Sequence, residues 1–131
     1  MPIEYSISND GHVIHAIAKD PVTPEDFVNF ELTHAIDKRL KPPISELLEI
    51  ESGALHQITK DDMAEVLAQR KRLTTTTTPH RCAIVIPRDD IHSWDIAKFY
   101  EGMVLLHSPE VVIIFGDLRI AKIWLGIEKT A

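Results

Sequence analysis

The chain has 131 residues, 44% of them hydrophobic and 26% charged, with a formal net charge of −6 at pH 7. That length is expected to form one domain over residues 1–131 with a core that needs no staples, and the composition excludes a disordered polymer. The acidic balance argues against a nucleic-acid partner, which requires a concentrated basic footprint, and against general attraction to anionic lipid. Cys82 is the only cysteine, so no internal disulfide can form. A reducing, cytoplasmic setting is therefore expected. No basic stretch leads into a long apolar run, so neither a signal peptide nor a transmembrane segment is expected.

Ile3, Tyr5 and Ile7 alternate with polar residues and predict a half-buried strand. Asn9-Asp10-Gly11 follows, a sequence that tolerates the positive φ of a tight turn. His12 to Ala18 is then the returning strand of a hairpin. Thr23-Pro24-Glu25-Asp26 is a helix start: a cap, a proline suited to the first helical position, and carboxylates at the positive end of the dipole. Val28, Leu32, Ala35, Ile36 and Leu40 predict the buried stripe of that helix, and Pro42-Pro43 its stop.

Ser45 to Glu51 reads as the third strand. After a loop, Thr59-Lys60-Asp61-Asp62 repeats the capped start, and Met63, Val66, Leu67 and Leu73 predict the inner face of the second helix. Arg70, Lys71 and Arg72 fall where a helix carboxyl end favours cations. The five threonines Thr74 to Thr78 are poor helix formers and predict a connector. Arg81 to Ile86 is a nearly continuous apolar strand, as expected when both faces are covered.

Asp89 or Asp90 can cap a third helix running to about Ser108. Its inner residues are expected to be Ile96, Ala97, Tyr100, Met103 and Val104. Val111 to Phe115 is the last strand. Leu118 to Leu125 is the last helix, capped by Gly126. The predicted class is α/β, in the order ββαβαβαβα: a mixed, mainly parallel five-stranded sheet with four main helices.

The last unit, Glu110 to Phe115, Gly116-Asp117-Leu118 and Ala121-Lys122-Ile123-Trp124-Leu125-Gly126, resembles the final strand, turn and helix of the SpoIIAA-like (STAS/SEC14-type) family of small bacterial proteins. Leu48-Glu49-Ile50-Glu51-Ser52-Gly53 resembles that family's third strand and following loop. The resemblance implies a STAS domain. Better-known members antagonise anti-sigma factors and are switched by phosphorylation of a serine at the start of the second helix. Here that stretch is Ile58 to Asp62 and holds no serine, which leaves Thr59 as the candidate phosphosite, with Asp61 and Asp62 repelling the added charge.

No glycine-rich phosphate loop, nucleophile elbow or metal-ligand spacing occurs. No cofactor and no catalytic residue is expected. His56 lies after the third strand and His92 opens the third helix. With Ser52, Thr59, Asp61, Asp89 and Trp94 they fall on the loops at the carboxyl edge of the sheet, where open α/β sheets bind ligands. Scattered surface histidines are the plainer reading.

The leading expectation is a non-enzymatic interaction or regulatory module that docks on a protein partner or forms a homodimer. The alternative is a SEC14-like domain holding a lipid or small ligand between the sheet and the third helix, with Trp94, Met103 and Leu106 along the apolar part. The third helix carries a weak extra apolar face, Ile91, Phe99 and Leu106, that suits either reading.

Overall fold

A computed structural model of the chain describes residues 2–72 and 79–127. The elements in order are β1 (Ile3–Ser8), β2 (Val13–Ala18), α1 (Pro24–Ala35), β3 (Ser45–Ile50), α2 (Lys60–Lys71), β4 (Arg81–Val85), α3 (Ile91–His107), β5 (Val111–Phe115) and α4 (Leu118–Leu125). The five strands form one sheet in the order β1-β2-β3-β4-β5. β1 runs antiparallel to β2, and β2 to β5 are mutually parallel. The expected mixed α/β sheet with four helices is therefore present.

The hairpin turn uses positive φ at Asn9 (53°), Asp10 (57°) and Gly11 (96°). Gly11 is required twice over: a Cβ there would meet the Arg39 carbonyl oxygen at 2.2 Å. That close approach ties the hairpin to the segment after α1, where the Lys41 amide donates to the Gly11 carbonyl at 2.9 Å.

Parallel strands in sequence order, joined by crossovers of one hand, place successive helices on one face of the sheet. α1, α2 and α3 accordingly share one core with Ile14, Leu48, Ile84 and Ile114 of the sheet. α4 lies on the opposite face, where Ala121 and Leu125 pack on Leu47 and Ala83. Each fully buried large aliphatic side chain, such as Ile14 or Leu47, contributes roughly 1.5–3 kcal/mol.

Thr23 and Thr59 both form complete capping boxes, with Asp26 and Asp62 returning the bond to the cap backbone. Asp90 caps α3, settling the choice between Asp89 and Asp90. Gly126 closes α4 in the left-handed conformation.

The first helix differs from expectation. It ends at Ala35, well before Pro42-Pro43, and its buried face is Phe27, Phe30 and His34. Leu32 is 43% and Ile36 81% exposed, so two members of the expected stripe face outward. The early stop has a local cause. The Asp37 carboxylate accepts the Arg39 amide and two Arg39 guanidinium bonds at 2.7–3.0 Å, together with the Tyr5 hydroxyl at 2.9 Å. Such a side-chain turn competes with helix continuation. The ion pair and hydrogen bonds from Arg39 hold the Asp37 carboxyl well below its usual range.

In α2, Met63, Val66 and Leu67 are buried as expected. Leu73 and the threonine connector lie outside the described residues. No described helix is long and apolar enough to cross a membrane.

Candidate functional site

On the loops at the carboxyl edge of the sheet, His56, Thr59, His92 and Trp94 use polar atoms to hold the local backbone. The Asp90 carboxylate accepts from the Gly53 amide (3.0 Å), the Ser93 amide (3.2 Å) and the Ser93 hydroxyl (2.7 Å), joining the loop after β3 to the start of α3. Burial pushes its carboxyl up, and these bonds outweigh that and leave it lowered.

His92 donates through Nε2 to the Ile58 carbonyl at 2.9 Å, and Trp94 donates its indole N–H to the Pro87 carbonyl at 3.0 Å. His56 places Nδ1 2.8 Å from the Gly53 carbonyl and 3.0 Å from Asp20. The Thr59 hydroxyl accepts the Asp62 amide at 3.1 Å. Ser52, Asp61 and Asp89 are exposed. His80 is exposed and Cys82, two residues on, is buried, so the two do not share a face. Among the described residues no three histidine, cysteine or acidic side chains are placed to hold a metal ion.

A second set of ionisable groups lies inside the molecule, toward the amino edge of the sheet. Strand alternation puts Glu46 on the same face as Leu48 and Ile50, beneath the helices. Helical spacing puts Glu31 and His34 beside Phe27 and Phe30, and Arg70 beside Met63, Val66 and Leu67. Cys82 comes from β4, Tyr100 from α3, and Glu110 from the residue before β5.

Arg70 is the hub. Its Nη2 donates to Glu110 Oε2 in a very short contact, its Nη1 donates to the Tyr100 hydroxyl at 2.8 Å, and its Nε lies 3.6 Å from Glu31. Its side chain is only 10% exposed. The plain carboxyl-end role expected for Arg70 is thus replaced by an inward one. Its stem follows the apolar stripe of α2, and its head meets two carboxylates and a phenol.

His34 Nε2 lies 3.0 Å from Glu31 Oε2 and 4.0 Å from Glu46 Oε1, and its buried Nδ1 has no partner among the described residues. Glu46 receives a bond from the Cys82 thiol at 3.3 Å.

Charge follows burial and pairing. Burial pushes Glu110 up to about 7, against the pull of Arg70. Burial, then the charge of Glu31, raises Glu46. Burial also acts to raise Glu31, but the His34 hydrogen bond and the Arg70 charge outweigh it and leave that carboxyl lowered. Burial depresses His34 as a cation, yet the Glu31 bond prevails and raises it. Burial holds the Cys82 thiol and the Tyr100 phenol well above their ordinary values, so neither is an activated nucleophile.

Glu31, Glu46, Arg70, Cys82, Tyr100 and Glu110 line one end of a cavity of about 40 Å³ between the sheet and α1–α3. The rest of its wall is apolar, from Phe27 and Phe30 on α1, Ile50 on β3, Met63 on α2, Ile84 on β4 and Ile96 on α3. Trp94, Met103 and Leu106 do not line it: Leu106 is 75% exposed, and α3 contributes Ile96, Ala97 and Tyr100 instead. The signal for this site was a charged residue in phase with an apolar face at Glu31, Glu46 and Arg70, which single-element patterning assigns to a helix end or a solvated edge.

No protein-family model matches the chain, and no curated protein and no solved structure matches it.

Proposed function

We propose that this chain is a non-enzymatic binding module of the SpoIIAA-like (STAS/SEC14-type) kind that holds a small ligand between its sheet and α1–α3. The order ββαβαβαβα supports the STAS-type reading. The observation that carries the ligand reading is the cavity with apolar walls and a buried ionic end. Such a space, apolar with a few convergent polar groups, is the usual form of a small-molecule site.

Size selects among ligands. A cavity of about 40 Å³ is far below the roughly 300–1,000 Å³ of sites for drug-sized molecules. It suits a compound of a few atoms; a lipid chain requires the helices to part from the sheet. The test is an amide NMR titration of the whole chain with compounds of about three non-hydrogen atoms, in neutral, cationic and anionic forms. The expected result is a set of shifts centred on Ile50, Val66 and Ala97 for at least one of them. Shifts absent for all, or scattered over the surface, would contradict the reading.

A second reading, docking onto a protein partner or a second copy, is favoured by the adjacent Leu105 and Leu106, which are 78% and 75% exposed near the end of α3. Sedimentation at increasing concentration should then show association that a Leu105→Lys and Leu106→Lys double variant abolishes. A monomer throughout would argue against self-association.

A further inference from the structure

Within the buried cluster the donors are unequally shared. Arg70 serves Glu31, Glu110 and Tyr100, and the 3.0 Å contact of His34 goes to Glu31. Glu46 is left over. It is 5% exposed, it lines the cavity, and among the described residues its Oε2 accepts only from the Cys82 thiol, a weak donor. Its Oε1 has His34 Nε2 at 4.0 Å, beyond hydrogen-bond reach. Three carboxylates thus face one guanidinium and one imidazole at this end, the imidazole sits closer to Glu31 than to Glu46, and the carboxylate without a short charged partner is the one lining the cavity. A buried carboxylate in that position is costly unless it is protonated or met by a positive group. Burial, then the charge of Glu31, raises the Glu46 carboxyl.

We propose that the cavity takes a compact primary alkylammonium, one or two carbons long, whose ammonium group docks on Glu46 and whose alkyl part lies against Val66 and Ala97. The inference rests on the ligand-binding reading given above and names the charge of the ligand. The ammonium supplies both the missing positive charge and donors for both oxygens of Glu46. An anion would face three carboxylates, and a metal ion lacks a described set of ligands. The available volume, about 40 Å³, holds about three non-hydrogen atoms at roughly 10–15 Å³ each. A ligand that small binds with a Kd of about a millimolar at best.

The test is thermal unfolding of the full chain with methylammonium or ethylammonium chloride, against tetramethylammonium chloride at equal ionic strength and against ethanol. Amide NMR locates the site in each case. At ten times Kd the two primary ammonium salts should raise Tm by about 3–5 °C, with NMR shifts around Val66 and Ala97; tetramethylammonium should do neither. Glu46→Gln, which keeps the shape and removes the charge, should abolish the response. Ala97→Val, which fills the space, should abolish it by exclusion with every carboxylate in place.

If ethanol shifts those amides and the ammonium salts do not, the cation inference is overturned and the ligand-binding reading stands. If neither shifts them, both are overturned. An ammonium response that persists undiminished in Ala97→Val places the ion elsewhere and likewise overturns the inference.

Discussion

Arg70 and the carboxylates around it decide how this core responds to mutation and pH. Arg70 reaches Glu31 and Glu110 with little solvent nearby. Replacing it by Met leaves those charges buried without their cation, and the expected cost is about 3–5 kcal/mol in urea unfolding. Adding Glu31→Gln and Glu110→Gln to Arg70→Met should recover much of that cost, because the buried charges go with their partner. A loss below about 1 kcal/mol for Arg70→Met alone, the range of exposed ion pairs, would mean that the guanidinium is solvated.

The pH dependence follows from the same groups. Glu110 titrates at about 7 in the folded protein and at the ordinary 4.5 when unfolded, and Glu46 is raised in the same direction. The folded state therefore holds more protons across that window, and stability falls as pH rises from about 4.5 to about 7. Glu110 alone contributes on the order of 3 kcal/mol to the fall. His34, raised above 6.5, has the same sign: its contribution is whole below 6.5 and is lost as pH rises through the folded value. Glu31 is lowered and acts below this window, losing its contribution as acid is added. Urea unfolding at pH 5.5 and pH 8 should give the lower stability at pH 8. A higher stability at pH 8 would contradict this assignment of charge.

At the scale of single elements, the helix starts and the helix faces make separate predictions. Thr59 accepts the Asp62 amide and so caps α2. Thr59→Ala should cost about 1 kcal/mol, and Thr59→Asp close to nothing, because an aspartate caps as well. Equal losses for the two would show that the cap contributes little. On α1 the buried face is Phe27, Phe30 and His34. Phe30→Ala should cost about 3–5 kcal/mol, whereas Ile36→Lys should stay within about 0.5 kcal/mol. The reverse order in chemical denaturation would restore the face expected from the apolar residues alone.

That face was misread for a physical reason. Counting only apolar residues selects Leu32 and Ile36, while the true face carries Glu31 and His34, polar groups that become acceptable inside because they pair with each other and Arg70 meets Glu31 there. The strands, the caps at Thr23 and Thr59 and the Gly126 stop were legible, because each depends on neighbours in sequence. The end of α1 was not, because it depends on Asp37 meeting both Arg39 and Tyr5, which lies 32 residues away.

The whole molecule explains why the candidate site was the least legible feature. Local spacing and topology point to the loops at the carboxyl edge of the sheet, and there Asp90 and His92 fasten loops. The cavity is assembled from α1, β3, α2, β4, α3 and the residue before β5. None of its ionic members pairs with a neighbour in sequence except Glu31 with His34. A site with that construction appears only once the sheet order is known.

The central claim is that the space under α1–α3 admits a guest, and the most direct measurement is a crystal structure of the chain under xenon pressure, since xenon enters apolar cavities irrespective of charge. The expected result is a xenon site between Ile50, Ile96 and Ala97, at the apolar side of the ionic cluster. A crystal in which those side chains close on one another, with no xenon between them, would contradict the account.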